Sequence, residues 1–175
     1  MKRLEFTLKT YPLSFIGKSF LENGDKIVLP QSILNYLNQN DDLNPIIFEI
    51  LNLDNNKKCH CGVYEFTSDD GCAYIPYWMF KNLEINEGSP LCFIQKCLEK
   101  GYFLKIQPQQ KEFFQISNPK AILELNLRKY TSLTKKNTIS IEYNNNIYWL
   151  NIVEVKPGNA INIIDTDLNL EICDI

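Results

Sequence analysis

The sequence predicts an α+β fold, mainly β, in two lobes: a small barrel over residues 1–98 and a compact helix-on-sheet unit over residues 102–175. Three observations predict it. An internal repeat fills the first lobe: Val28-Leu29-Pro30-Gln31-Ser32-Ile33-Leu34-Asn35-Tyr36-Leu37 returns as Tyr74-Ile75-Pro76-Tyr77-Trp78-Met79-Phe80-Lys81-Asn82-Leu83, 46 positions on (76 − 30). A second echo follows in the same order, Asn44-Pro45-Ile46-Ile47-Phe48 answered by Ser89-Pro90-Leu91-Cys92-Phe93. The pattern then breaks at Glu99-Lys100-Gly101, beyond which the order of elements changes. Two copies are too few for a solenoid, which needs about three repeats to cover its stacked faces. They can instead close on each other, and a duplicated strand-helix-strand unit predicts a barrel with pseudo-two-fold symmetry.

In the first lobe, strands are expected over 4–10, 13–16, 26–29, 45–52, 58–66, 72–75 and 90–97. Alternation is visible from Val63 in Cys61-Gly62-Val63-Tyr64-Glu65-Phe66, where successive side chains face opposite sides of a sheet. Pro30 and Pro76 each end a strand, because proline cannot donate to a ladder, and a short helix follows each, over 31–37 and 77–83. The apolar residues of those helices recur at i, i+1 and i+4: Ile33, Leu34 and Leu37 in one copy, Met79, Phe80 and Leu83 in the other. Ser68-Asp69-Asp70-Gly71 reads as a tight turn in which Gly71 takes a positive φ without steric cost, and Asn23-Gly24-Asp25 reads as a turn of the same kind.

In the second lobe, Tyr102-Phe103-Leu104-Lys105-Ile106 is an expected strand and Gln107-Pro108-Gln109-Gln110 a polar connector. Ser117-Asn118-Pro119 opens a helix, with Asn118 as N-cap and Pro119 at the first helical position, where its missing N–H is no loss. Ile122, Leu125 and Lys129 lie on one side of that helix and Leu123, Leu127 and Tyr130 widen the apolar stripe, so it is expected to pack on a sheet. Strands over 138–143, 146–155 and 160–165 follow. Asn144-Asn145 suits a primed hairpin turn, and Pro157-Gly158 closes the next connection.

Composition excludes several function classes. A net charge of −3 and a pI near 5.3 argue against nucleic-acid binding, which needs clustered cations to neutralise phosphates. Lys57-Lys58 and Lys135-Lys136 sit where turns are expected and read as solvated. No apolar run approaches the roughly 18 residues that span a bilayer. Met1-Lys2-Arg3-Leu4-Glu5 begins basic but reaches Glu5 and Lys9 without an apolar stretch, so no secretory signal is read there and an intracellular chain is expected.

Chemistry-bearing residues are sparse. The six cysteines are Cys59, Cys61, Cys72, Cys92, Cys97 and Cys173. In an extended strand Cys59 and Cys61 point to one face and His60, the only histidine, to the other, so Cys-His-Cys is a poor metal clamp and buried reduced thiols are expected. No phosphate loop, dinucleotide fingerprint, zinc-protease motif or nucleophile elbow is present. Asp69-Asp70 reads as a hydrated turn, and Trp78 and Trp149 as core or interface packing before ligand stacking. No catalytic residue, cofactor or metal ligand is assigned, and the balance points to a binding module rather than an enzyme.

Several long segments carry a resemblance. His60-Cys61-Gly62-Val63-Tyr64-Glu65-Phe66, Asp70-Gly71-Cys72-Ala73-Tyr74-Ile75-Pro76-Tyr77-Trp78-Met79 and Ile116-Ser117-Asn118-Pro119-Lys120-Ala121-Ile122-Leu123-Glu124 resemble the amino-terminal domain of the ubiquitin fusion degradation protein family. Gly24-Asp25-Lys26-Ile27-Val28-Leu29-Pro30, Lys105-Ile106-Gln107-Pro108-Gln109 and Glu154-Val155-Lys156-Pro157 are similar to further family segments, in the family's order. The resemblance runs from near Gly24 to near Ile172. It implies a double-psi β-barrel followed by a small α/β roll. It also implies recognition of ubiquitin and polyubiquitin on substrates of a segregase AAA ATPase, alongside a nuclear protein localisation partner. The family's docking segments for the ATPase and the partner follow this domain, so the resemblance places none of them within residues 1–175. A cytoplasmic or nuclear setting follows, with an endosymbiont-derived compartment as the alternative.

Tyr77, Phe80 and Phe113 are the candidate ubiquitin contacts, being apolar side chains beside turns where a small apolar patch on a partner can be met. A second reading is a peptide-binding scaffold that uses a groove between the lobes, around Glu99 to Tyr102. A third, a cysteine hydrolase using Cys61 or Cys72, has the least support.

Overall fold

A computed structural model describes residues 4–37 and 45–175. Residues 1–3 and 38–44, and with them Asn44 of the second echo, lie outside the described residues. The class is α+β, mainly β. Six strands form a closed barrel: β1 (Glu5–Pro12), β2 (Lys26–Pro30), β3 (Ile47–Leu51), β4 (Lys58–Ser68), β5 (Cys72–Ile75) and β6 (Pro90–Lys96), in the order β1-β5-β2-β4-β3-β6. Helix α1 (Gln31–Leu37) follows β2 and α2 (Tyr77–Leu83) follows β5, each with the bounds the repeat predicts.

The repeat is built into the pairing. Exchanging β1 with β4, β2 with β5 and β3 with β6 returns the same circle of neighbours. Directions are preserved as well: β1–β5 and β2–β4 are the parallel pairs, and β1–β6 and β3–β4 are antiparallel. Two pairs lie across the exchange. Val28 pairs with Tyr74, its own counterpart at the 46-residue offset (74 − 28), and Glu49 pairs with Ile94 at the 45-residue offset of the second echo (94 − 49). Pro30 and Pro76 therefore stand at equivalent corners.

Inside the barrel, Ile27, Leu29, Phe48, Ile50, Cys59, Cys61, Ile75 and Phe93 are fully buried, as period-2 strands closing on themselves require. The segment Leu13–Ile16 is not a strand. It is a single 3-10 turn that follows Pro12, is capped by Gly17 at φ 69°, and buries only Leu13. Gly71 does take a positive φ, 81°. The chain also turns at Asn23-Gly24, but Gly24 does not take a positive φ there: Gly24 and Asp25 are both buried, and a Cβ at Gly24 would lie 2.6 Å from the Lys129 carbonyl oxygen. Glycine is needed there for close approach of the two lobes.

The second lobe carries β7 (Phe103–Pro108), α3 (Pro119–Leu127), β8 (Ser132–Thr134), β9 (Thr138–Tyr143), β10 (Asn146–Lys156), β11 (Ala160–Asn162) and β12 (Asn169–Ile172). Four strands form a sheet in the order β12-β7-β10-β9, and β11 pairs with β8. Asn118 caps α3 as expected, its side chain accepting from the Ala121 N–H at 3.3 Å. Asn144 and Asn145 both take positive φ, 50° and 63°, the signature of a type I′ hairpin.

Three expectations are corrected here, and two strands appear that the sequence reading did not assign. Gln107 and Pro108 belong to β7 rather than to a connector. The strand expected over 160–165 stops at Asn162, whose side-chain oxygen turns back to accept the Ile164 N–H at 2.9 Å. The buried face of α3 is Leu123, Asn126 and Leu127, continued by Tyr130, whereas Leu125 is 56% exposed. Strands β8 and β12 carry too few residues for a periodic signal and form because distant strands pair with them.

Candidate functional site

The lobes are joined through β8. The Asp25 carboxylate, at the start of β2, accepts the Thr131 N–H at 2.9 Å, the Thr131 hydroxyl at 2.8 Å, and the Ser132 N–H and hydroxyl each at 3.0 Å. Burial pushes this carboxyl up to about 6, and the four donated bonds only partly oppose the rise. Beside it, Trp78 of α2 donates its indole N–H to the Gly24 carbonyl at 2.7 Å and packs on Tyr130, so this tryptophan is interface core. Farther along β8, His60 Nδ1 lies 2.8 Å from the Thr134 hydroxyl. Burial lowers the imidazole to about 4, which leaves it neutral at pH 7.

His60 faces away from Cys59 and Cys61, which are fully buried in the barrel, as alternation requires. Cross-strand from His60, Glu49 lies 3.4 Å from Lys58 Nζ and 3.3 Å from Lys96 Nζ. Burial raises the Glu49 carboxyl, but the positive groups around it, Lys96 first, carry the balance below its ordinary value. All six cysteines are free, with Cys72 and Cys173 half-buried and Cys97 exposed. Burial holds the Cys61 thiol well above its ordinary value, so it carries no thiolate for nucleophilic attack. Among the described residues no group of His, Cys, Asp and Glu is placed to hold a metal ion, and no helix is long and apolar enough to cross a membrane.

The three candidate contacts separate. Tyr77 is 56% exposed at the start of α2. Phe80 is 6% exposed in the barrel core, and Phe113 is fully buried in the 3-10 turn Lys111–Gln115, edge-on to Tyr148 at 5.7 Å. Neither phenylalanine offers a partner any surface, because each fills the core its own lobe needs. Tyr77 instead belongs to a face built from both lobes. One turn along α2, Lys81 Nζ stands 4.5 Å from the ring centroid of Trp149 on β10 and 5.6 Å from that of Tyr77. A shallow recess of about 230 Å³ adjoins them, lined by Lys81, Asn82, Gln109, Thr138 and Trp149. The sequence reading missed Lys81, although its i, i+4 spacing from Tyr77 is a legible helix-surface pair. That Trp149 completes the group was not legible, because it arrives from a strand in the other lobe.

No groove opens at Glu99–Tyr102. The Gly101 N–H donates to the Asn162 carbonyl and the Tyr102 N–H to the Lys156 carbonyl, each at 2.9 Å, and a Cβ at Gly101 would lie 2.4 Å from Ile161 Cδ1. The linker is packed onto the second lobe. The cleft between the lobes lies elsewhere, a space of about 750 Å³ lined on the barrel side by Lys26 and Val63, and on the other by Leu127, Arg128, Ile163 and Leu168.

Comparison with known proteins gives a consistent answer. The family model described as "Ubiquitin fusion degradation protein UFD1, N-terminal subdomain 1" matches residues 4–99, and "N-terminal subdomain 2" of the same family matches residues 100–175. The chain belongs to the ubiquitin fusion degradation protein 1 family. It is 47% identical over 171 residues to the "Ubiquitin fusion degradation protein 1 homolog" of Dictyostelium discoideum, covering 97% of this chain and 52% of that protein. It is 39% identical over 154 residues to the "Ubiquitin recognition factor in ER-associated degradation protein 1" of Homo sapiens, covering 88% and 50%. With "Ubiquitin fusion degradation protein 1" of Saccharomyces cerevisiae the identity is 36% over 167 residues, covering 91% and 46%. The chain thus spans about half the length of the curated relatives it matches.

Three of the segments that resemble this family help to build the lobe junction. Gly24-Asp25 supplies the buried carboxylate, and His60-Cys61-Gly62 supplies the imidazole and a glycine whose Cβ would lie 2.6 Å from Thr131 Cγ2. Tyr77-Trp78 supplies both the indole donor at the junction and the exposed tyrosine beside it.

Proposed function

We propose that this domain recognises ubiquitin, and chains of it, on proteins marked for degradation, and that Tyr77, Lys81 and Trp149 form part of the contact. Family membership carries the reading, since the matched human relative is named as a ubiquitin recognition factor in ER-associated degradation. The surface supports it. An exposed tyrosine and a half-buried tryptophan with a cation between them join apolar area to a polar rim, the composition of small recognition patches. On this reading the domain makes or breaks no bond. It acts as the recognition part of an adaptor for a segregase AAA ATPase, working with a nuclear protein localisation partner in the cytoplasm or nucleus. The paired parallel strands β1–β5 and β2–β4, exchanged by the pseudo-two-fold, support assigning the barrel to the double-psi class, and helix α3 with the separate sheet β12-β7-β10-β9 supports assigning the second lobe to the α/β roll. They likewise support a division at residues 98–102.

Small single-domain contacts of this kind bind at about 100 μM, or roughly −5.5 kcal/mol, and a chain gains by effective concentration. The test is titration of the isotopically labelled domain with mono- and polyubiquitin, followed by NMR. Shifts at Tyr77, Lys81 and the Trp149 indole are expected, together with weaker binding in Tyr77→Ala and Trp149→Ala that keep the native spectrum elsewhere. Absence of any shift at millimolar ubiquitin would refute recognition, and shifts confined to another face would refute the site.

A further inference from the structure

The two edges of the four-stranded sheet are treated differently. At β9 the edge is closed by a side chain: Asn82 donates its amide to the Thr138 carbonyl at 2.6 Å and accepts the Thr138 N–H at 2.7 Å, in the manner of a neighbouring strand. At the other edge, β12 pairs, among the described residues, only with β7. The Asn169 N–H reaches the Tyr102 carbonyl at 2.9 Å and the Cys173 N–H reaches the Ile106 carbonyl at 2.7 Å, so positions 169, 171 and 173 face β7. By alternation the N–H and C=O groups of Leu170 and Ile172 face the other way, away from any strand. An unpaired edge of this kind is a template for an added strand.

That edge begins in the cleft between the lobes, where Leu168 and Leu170 join Val63, Leu127 and Ile163 as an aliphatic lining. Lys26 and Arg128 stand on the barrel and α3 side, and among the described residues neither forms an ion pair. Asp165, Asp167 and, on α3, Glu124 line the same cleft, equally without an ion pair among the described residues. The cleft therefore presents uncompensated charges of both signs beside an aliphatic lining.

We infer that β12 takes up an extended segment of a partner polypeptide as an added strand, which enters the cleft with aliphatic side chains against its aliphatic lining and side chains of both charges, an acidic one pairing with Lys26 or Arg128 and a basic one with Asp165 or Asp167. Backbone pairing supplies affinity for any extended chain, and the cleft supplies the preference. This site is separate from the face of Tyr77 and Trp149, and its test contains no ubiquitin, so either reading can fail alone.

The probe is a capped pentapeptide of alternating valine and charged residues, with three valines, one glutamate and one lysine. Its binding to the chain is followed by fluorescence anisotropy and by amide hydrogen exchange. Slowed exchange at Leu170 and Ile172 is expected. A probe N-methylated on the pairing edge should bind about fivefold to tenfold more weakly, since it loses donors that the edge carbonyls require. Arg128→Glu, on the exposed end of α3, should weaken the glutamate-bearing probe and strengthen one in which lysine replaces the glutamate. No binding at millimolar probe, equal binding of the N-methylated probe, or unchanged exchange at Leu170 and Ile172 overturns the inference. Protection of those two amides in the full-length protein without any probe overturns it as well, because a segment of the same protein then occupies the edge.

Discussion

Asp25 holds Thr131 by both its backbone N–H and its hydroxyl, at 2.9 and 2.8 Å, across 106 positions of sequence. With Ser132 held by the same carboxylate and Thr134 by His60, strand β8 is fastened to both β2 and β4. The orientation of the second lobe on the barrel, and with it the meeting of Lys81 and Trp149, rests on this strand.

Asp25→Ala leaves two backbone N–H groups buried without an acceptor, while the hydroxyls can turn elsewhere. The expected loss is about 2 to 3 kcal/mol, from the desolvation cost of orphaned donors less the relieved burial of a carboxylate. Urea unfolding measures it, and a loss below about 0.5 kcal/mol would mean that the carboxylate does not fasten the lobes.

Stability should be nearly flat between pH 4 and 6, because two buried groups oppose each other. Asp25 is raised from 3.8 to about 6, so within that window the native chain keeps a proton the unfolded chain has lost, and stability falls as pH rises. His60 is lowered from 6.5 to about 4, so the unfolded chain holds a proton the native one lacks, and stability rises with pH. Each gap is worth about 3 kcal/mol. Asp25→Asn should therefore unmask a rise in stability from pH 4 to 6.5, and His60→Gln a fall from pH 4 to 6. Unfolding midpoints across the series decide it; parallel profiles in both variants would contradict the assignment.

Gly62→Ala should destabilise by about 2 kcal/mol through overpacking, since its Cβ would sit 2.6 Å from Thr131 Cγ2 and 2.7 Å from Thr131 Oγ1. Thr131→Ala in the same chain removes both atoms, so the two substitutions together should cost less than the sum of each alone. Strict additivity would show that the contact is not the cause.

Asn82→Ala uncovers the edge of β9 and orphans the Thr138 N–H and C=O, at a cost of about 2 kcal/mol. Faster hydrogen exchange at Thr138, with β12 unchanged, is the expected signature. Unaltered exchange there would show that the side chain does not act as the missing strand.

Much of the barrel was legible because its signals are local. Pro30 and Pro76 cannot extend a ladder, the apolar residues after them recur at helical spacing, and α1 and α2 have the predicted bounds. The hairpin at Asn144-Asn145 and the cap at Asn118 were legible for the same reason. Leu13–Ile16 was misread because four apolar-leaning residues fit a strand or a turn equally, and Pro12 and Gly17 decide for the turn. The burial of Asp25 was not legible because a Gly-Asp pair at a turn carries no local sign that its acceptor oxygens meet donors from residues 131 and 132.

By itself, then, the sequence determined the duplicated barrel, the helix-on-sheet unit and the family, since each is written in neighbouring residues or in ordered motifs. Only the tertiary structure decided which side of α3 is buried, that Phe80 and Phe113 are core while Tyr77 is surface, and that one sheet edge is closed by Asn82 while the other has no further strand among the described residues. Those outcomes depend on which atoms far apart in the chain compete for the same buried space or hydrogen bond, and no local pattern encodes the winner.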